Sequence, residues 1–239
     1  CMAALIAAVA LLVSSISEPV VSEGVADGEP KETLWGIVAA LIRALKRPSG
    51  GWALLVVATY KMGESLIDVM YKPFLIEQGI TASQLGLWLG TWGMLASVLG
   101  SLLGGIWATR LPLLNLLMMC SVFRLVPEMG QFGLAMGWLP VEPGVVIAVS
   151  LAEHLAGGAL TTVMFATMMG WVDRRIGATH FTVFACVEVW GKSSTALISG
   201  IVTEYFSYAV TFGLGIAIGV LFLLLLTKVP PVSASQAST

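Results

Sequence analysis

Charge is scarce in this sequence. Only 11% of its 239 residues are Asp, Glu, Lys or Arg, against about 25% in a soluble domain. Once the apolar runs are set aside, no segment is left that could fold as a soluble domain of useful size. Cysteine is scarce too. Cys1, Cys120 and Cys186 stand far apart with no C-x-x-C, which supports neither a disulfide framework nor a zinc site. His154 and His180 are the only histidines, too few for a histidine metal centre, so neither a metal nor a cofactor is expected. The net charge is -2 and the basic residues are scattered, so nucleic acid is not an expected partner. H-E-x-x-H, G-x-S-x-G and paired-aspartate motifs are missing, and with them the usual signatures of an enzyme.

What the chain does contain is apolar. Hydrophobic residues make up 57% of it, mean hydropathy is +0.92, and the lipid bilayer is the expected solvent. Residues 1–16 form an apolar segment reaching only about 24 Å as a helix, short of the roughly 30 Å hydrocarbon core. This segment reads as the end of a truncated transmembrane helix. Residues 17–50 read as a cytoplasmic linker, first acidic, then an amphipathic helix stopped by Pro48-Ser49-Gly50-Gly51. Residues 51–229 read as six spans, at 52–76, 84–109, 112–138, 144–172, 179–199 and 205–228. Residues 230–239 read as a disordered tail. The fold class is therefore all-α, a polytopic membrane protein with a six-helix bundle.

Loop charges suggest an orientation. Lys31, Arg43, Lys46, Arg47, Arg110, Arg174, Arg175 and Lys228 fall on one side, and only Lys72 falls on the other. By the positive-inside rule the linker, the Arg110 and Arg174-Arg175 loops and the C-terminus are cytoplasmic.

Charge that remains inside the spans is costly in lipid and has to face protein or water. Lys61, Glu64 and Asp68 follow one another at steps of three and four residues, on one face of the first span. They read either as a neutralised ion pair, Lys61 with Glu64 or Asp68, or as a binding or proton-coupling site near the bilayer midplane. Arg124 and Glu128, and likewise Glu188 and Lys192, are spaced i, i+4 and could neutralise each other. Glu153 and His154 precede Leu155-Ala156-Gly157-Gly158, where the helix could loosen. Gly191-Lys192-Ser193-Ser194 resembles the end of a P-loop, but Cys186 stands where its first glycine belongs and no strand precedes it, so a nucleotide site is excluded. Gly86, Gly90, Gly93, Ser97, Gly100 and Gly104 form a small-residue stripe along the second span, expected to let a neighbouring backbone approach closely. Gly215 and Gly219 repeat that idea in the last span.

Tyr60-Lys61-Met62-Gly63-Glu64, Glu153-x3-Gly157-Gly158 and Gly177-Ala178-Thr179-His180-Phe181 resemble motifs of the AmpG-type muropeptide permeases. Those proteins and the related acetyl-coenzyme A transporters belong to the major facilitator superfamily. The last motif differs at two positions from the Ser-Ala-Thr-Gln-Phe pattern, and the Arg110 loop keeps little of the superfamily's basic motif. The resemblance implies the carboxyl-terminal half of a carrier in the bacterial inner membrane, whose amino-terminal six-helix half is missing here. It further implies a proton-coupled symporter that imports an anionic small molecule such as an anhydro-muropeptide. Tyr60, Lys61, Glu64, Asp68, Arg124, Glu153, Glu188 and Lys192 would then contribute to the substrate and proton site, with Glu64 responding to protons and Lys61 setting its affinity for them. Three other readings compete: a six-span channel or homodimeric carrier, a membrane-embedded enzyme, and a signalling or assembly subunit.

Overall fold

The computed structural model describes residues 48–172 and 176–228. The chain divides into Cys1–Ile37 and Val38–Thr239, and everything described belongs to the second unit. The expected initial helix, the linker and amphipathic helix up to residue 47, the Arg174-Arg175 turn and the tail lie outside the described residues.

All regular structure among the described residues is helical: α1 (Pro48–Thr59), α2 (Met62–Glu77), α3 (Ala82–Leu85), a π-helical segment (Gly86–Gly93), α4 (Met94–Ala108), α5 (Leu113–Ala135), α6 (Pro143–Trp171), α7 (Gly177–Tyr205) and α8 (Tyr208–Leu226). The fold is a polytopic membrane bundle. Among the described residues, four stretches are long and apolar enough to cross a membrane: Ala82–Ala108, Leu113–Ala135, Pro143–Trp171 and Tyr208–Leu226. The other two expected spans differ in instructive ways. The first is broken at Tyr60-Lys61 into α1 and α2, and the fifth is the long α7, whose apolar run is diluted by Glu188, Lys192 and a row of hydroxyls.

Local chemistry sets most of the turns. Gly79 (φ +87°) and Gly137 (φ +73°) take the left-handed conformation that follows α2 and α5, which costs glycine little. After α5, Trp138 N–H donates to the Gly133 carbonyl at 2.9 Å, closing a Schellman-type cap. Thr81 and Gln84 form a reciprocal capping box at the start of α3. Two turns differ from expectation. Pro48 begins a helix here, as its missing N–H permits in a first turn. The last break falls at Phe206-Ser207 and not at Thr203-Glu204, because Thr203 Oγ1 bonds back to the Ser199 carbonyl at 2.8 Å while Ser207 caps Val210 N–H at 3.3 Å.

The small-residue stripe acts as a contact surface over part of its length. A Cβ on Gly100 would collide with the Leu155 carbonyl of α6, and one on Gly104 would lie 2.8 Å from the Ala159 carbonyl. In return Gly158 meets the Ser97 carbonyl, and Ser101 Oγ donates to the Gly158 carbonyl at 3.3 Å. Gly86 and Gly90 face open space, so the packing stripe is shorter than the sequence pattern. Gly63 of α2 abuts the Gly215 carbonyl of α8 in the same way, and α6 runs unbroken through Gly157-Gly158. Gly158 serves close approach to α4 and Gly157 faces the Arg124 side chain, so neither loosens the helix.

Outward faces are apolar. Met94, Leu95, Val98, Leu99 and Leu102 on α4 and Phe123, Val126 and Met129 on α5 are all exposed, as lipid contact requires. Among the described residues the interior has two apolar clusters. One gathers Val56, Val57, Leu116, Leu117, Leu160, Val163, Met164 and Phe184. The other gathers Ile67, Tyr71, Phe74, Trp88, Leu134, Val146 and Phe212. Along the chain Glu64, Arg124, Glu128, Glu153 and His154 lie between the segments that build these two clusters. A polar layer is thus sandwiched mid-bundle.

Adding a side chain at a true contact glycine forces backbone apart, at about 1–3 kcal/mol. Gly100→Val is therefore expected to lower the unfolding temperature in detergent clearly, and Gly90→Ala to leave it almost unchanged. Equal effects would show that the stripe does not pack as described.

Candidate functional site

The polar layer is built around Arg124. On α5 the sequence Ser121, Arg124, Glu128, Gln131 steps by three, four and three, so all four fall on one helix face, and all four are buried. An arginine buried in an apolar bundle needs anionic partners, and three neighbours supply them. Arg124 Nη2 donates to Glu153 Oε1 on α6 at 2.7 Å. Its Nε donates to Glu128 Oε1 at 3.3 Å. Glu64 Oε1, on α2, lies 3.4 Å from Nη2. Arg124 Nη1 also reaches the Glu153 carbonyl at 3.4 Å. Gly157 leaves the space for this, since a Cβ there would strike Nη1.

The network extends from Glu153. Its Oε2 sits 2.6 Å from His154 Nδ1, and the same nitrogen lies 2.9 Å from the Ser150 carbonyl. Both contacts are satisfied by a proton on Nδ1. The far edge of the His154 ring packs on Gly93, where a Cβ would fall 2.7 Å from Cδ2. The π-helical segment thus ends against this histidine. Tyr71 OH and Ser150 Oγ, 3.3 Å apart, continue the polar contacts.

A second, smaller group joins the α1–α2 break to α7. Tyr60 OH donates to Glu188 Oε1 at 2.8 Å, and Lys61 Nζ stands 4.0 Å from the same oxygen. Ser65 Oγ donates to the Lys192 carbonyl at 2.9 Å. Gly191 lies against the Ala58 carbonyl with no room for a Cβ. That close approach, and not phosphate binding, accounts for the glycine before Lys192.

These contacts correct two pairings. The ion partner of Lys61 is Glu188, not Glu64 or Asp68. The helix break makes Lys61 the N-cap residue of α2, so the regular steps that would align it with Glu64 begin only after it. Glu188 in turn pairs with Lys61 and Tyr60, not with Lys192, which is exposed on α7. Arg124 and Glu128 do pair, as their spacing suggests, but the arginine is shared among three carboxylates.

Of the expected site residues, the structure gathers Glu64, Asp68, Arg124 and Glu153 in one group and Tyr60, Lys61 and Glu188 in another. Lys192 touches the second group through its backbone alone. Carboxylate oxygens of Glu64, Asp68 and Glu153 lie within 4.8 Å of one another, near enough to share a cation, and Arg124 already binds two of the three. Asp68 is exposed on the bundle surface. Sequence reasoning undervalued Glu128 and passed over Gln131. The 121-124-128-131 stripe, polar on one face of an apolar span, was the signal that could have found them.

Comparison with known proteins now bears on this geometry. No protein-family model matches the chain. The Anhydromuropeptide permease of Escherichia coli K12 is 26% identical over 198 residues, covering 82% of this chain and 40% of the permease. Putative transporter AmpG 1 of Rickettsia bellii is 21% identical, covering 80% of this chain and 48% of its own. The chain resembles AmpG permeases along most of its length. Putative transporter AmpG 1 of Rickettsia prowazekii, 22% identical over 177 residues, is similar again. The chain spans less than half the length of these curated relatives, and the likeness agrees with that seen in the Tyr60–Glu64, Glu153–Gly158 and Gly177–Phe181 motifs.

Lys61→Met should strand the Glu188 carboxylate and destabilise the bundle by about 1–3 kcal/mol. Adding Glu188→Gln is expected to restore most of that loss, and adding Glu64→Gln to restore none, as read by thermal unfolding in micelles. Rescue by Glu64→Gln would mean that the pairing is the other one.

Proposed function

We propose that this chain provides one six-helix half of a secondary active transporter of the major facilitator superfamily, a proton-coupled symporter in the bacterial inner membrane. One observation carries the reading. Asp68 and Lys192 are exposed on the bundle although both lie mid-helix, in α2 and α7, among apolar neighbours. A charge at that depth is costly against lipid, so the α2–α7 face belongs against protein or water. Directly behind it lie Glu64, Arg124 and Glu153. A polar wall backed by buried charge at mid-depth is what a carrier with a central site requires.

The other half is the part of the AmpG relatives that this chain does not cover. Two halves rocking about the α2–α7 face would open it to either side in turn. Lys192 and Lys61 would attract substrate carboxylates, and the substrate class is an anionic solute such as an anhydro-muropeptide, after the permease to which the chain is similar. The basic loops support a cytoplasmic linker, Arg174-Arg175 turn and C-terminus. Glu64 joins the exposed acidic face to Arg124, which suits it to exchange a proton between the aqueous cavity and the interior.

In the complete carrier, Glu64→Gln is expected to abolish pH-gradient-driven accumulation of substrate in vesicles while sparing substrate exchange across the membrane. Accumulation against a gradient at the normal rate would transfer the proton role to another carboxylate.

A further inference from the structure

Glu128 has no part in the mechanism just described, yet it is among the most buried charged groups in the chain, with its side chain only 4% exposed. Its Oε1 accepts from Arg124, but its Oε2 is buried without a hydrogen-bond partner among the described residues, and so is Glu64 Oε2. Both side chains line the same cavity, together with Tyr60, Ser121, Arg124 and Gly219. That cavity has a volume of about 20 Å³, room for one water.

The charges around it do not balance. Arg124 brings one positive charge. Glu64, Glu128 and Glu153 can bring three negative ones, and Asp68 a fourth at the surface. Among the carboxylates, His154 on α6 pairs with Glu153, and Lys61 and Tyr60 are engaged by Glu188 of α7. From α8 only Gly219 and Phe222 reach the cavity. Surplus negative charge buried in an apolar bundle is strongly unfavourable and is relieved by binding a proton or a cation. The Oε1 atoms of all three glutamates face Arg124, and Glu153 Oε2 faces His154. Of the six oxygens of these three glutamates, Glu64 Oε2 and Glu128 Oε2 are left buried without a partner to carry a proton.

We propose that Glu64 and Glu128 share one proton across this cavity, with Glu128 as its inner station and Glu64 as its door to the aqueous face. A single water accepting from one carboxyl and donating to the other carries the transfer. The proton leaves Glu128 Oε2 as Glu64 Oε2 gains one, so the charge around Arg124 is conserved and no co-reactant is needed. The assignment rests on the proton-coupled reading above but adds a residue to it. Gly219 keeps the space open, since a Cβ there would lie 3.0 Å from Leu125 Cδ2 and 3.5 Å from Glu128 Oε2.

Infrared spectroscopy of the full chain in lipid bilayers tests this. At neutral pH the wild type should show a protonated-carboxyl stretch that shifts in D2O. Glu128→Gln and Glu64→Gln should each remove it, because taking away one carboxylate leaves the same net charge around Arg124 as protonating it; Glu142→Gln, in an exposed loop, should leave it intact. Gly219→Ala, which narrows the cavity and spares both carboxyls, should keep the band and shift its frequency. A wild type without the band overturns the proposal, as does a band that survives Glu128→Gln. Loss of the band on exchanging K+ for Na+ overturns it too, by giving the cavity to a metal cation. If the band behaves as expected while the complete carrier accumulates nothing with a proton gradient, the transport reading fails and the shared proton stands. Proton-driven accumulation without the band refutes the shared proton alone.

Discussion

The rest of this bundle is arranged around the cost of keeping one guanidinium out of water. Arg124 lies at the centre of α5, and Glu64 of α2 and Glu153 of α6 converge on it with its own neighbour Glu128. A buried ion that loses its partner costs several kcal/mol, whereas the intact pair contributes little net stability over a well-packed apolar core. Such a network is therefore weak evidence of stabilisation and better evidence of a task. Its location between two apolar clusters shields it from both ends of the bundle.

Close backbone contact makes the convergence possible. Charged side chains reach across helix interfaces only when the helices stand near each other, and here glycines set that distance. Gly100 and Gly158 bring α4 onto α6, Gly63 and Gly215 bring α2 onto α8, and Gly191 brings α7 onto α1. Gly157 has a different use, because it opens the space that the Arg124 side chain fills. The same residue type thus serves both packing and chemistry. In a membrane this is expected, since helices there associate by fit and polar contact and not by expulsion of water.

Much of the fold was legible from the sequence because lipid imposes a simple code: long apolar runs and short polar breaks. Four of the expected spans appear as helices within a few residues of their expected limits. The break at Tyr60-Lys61 was not legible, since no proline or glycine marks it and Gly63 comes only after it. Ionisable residues were easy to pick out against so apolar a background, but their partners were not. Spacing along one helix suggests i, i+4 pairs, and it found Arg124 with Glu128. It could not reveal that Arg124 also binds two other helices, or that Glu188 turns away from Lys192 towards the break, because those contacts depend on packing between helices. Asp68 was recognised as a charge within a span, whereas its exposure follows from where α2 sits in the bundle.

The central claim is that Arg124 and Glu153 act as one unit across the α5–α6 interface. A double-mutant cycle of Arg124→Met and Glu153→Met, read by reversible unfolding in micelles, measures this directly. Arg124→Met should cost about 3–5 kcal/mol, because it leaves three carboxylates without their cation, Glu153→Met should cost less because Arg124 keeps Glu64 and Glu128, and the double change should cost less than the sum. Additive costs, agreeing within about 0.5 kcal/mol, would mean that the two residues do not interact and would contradict the account.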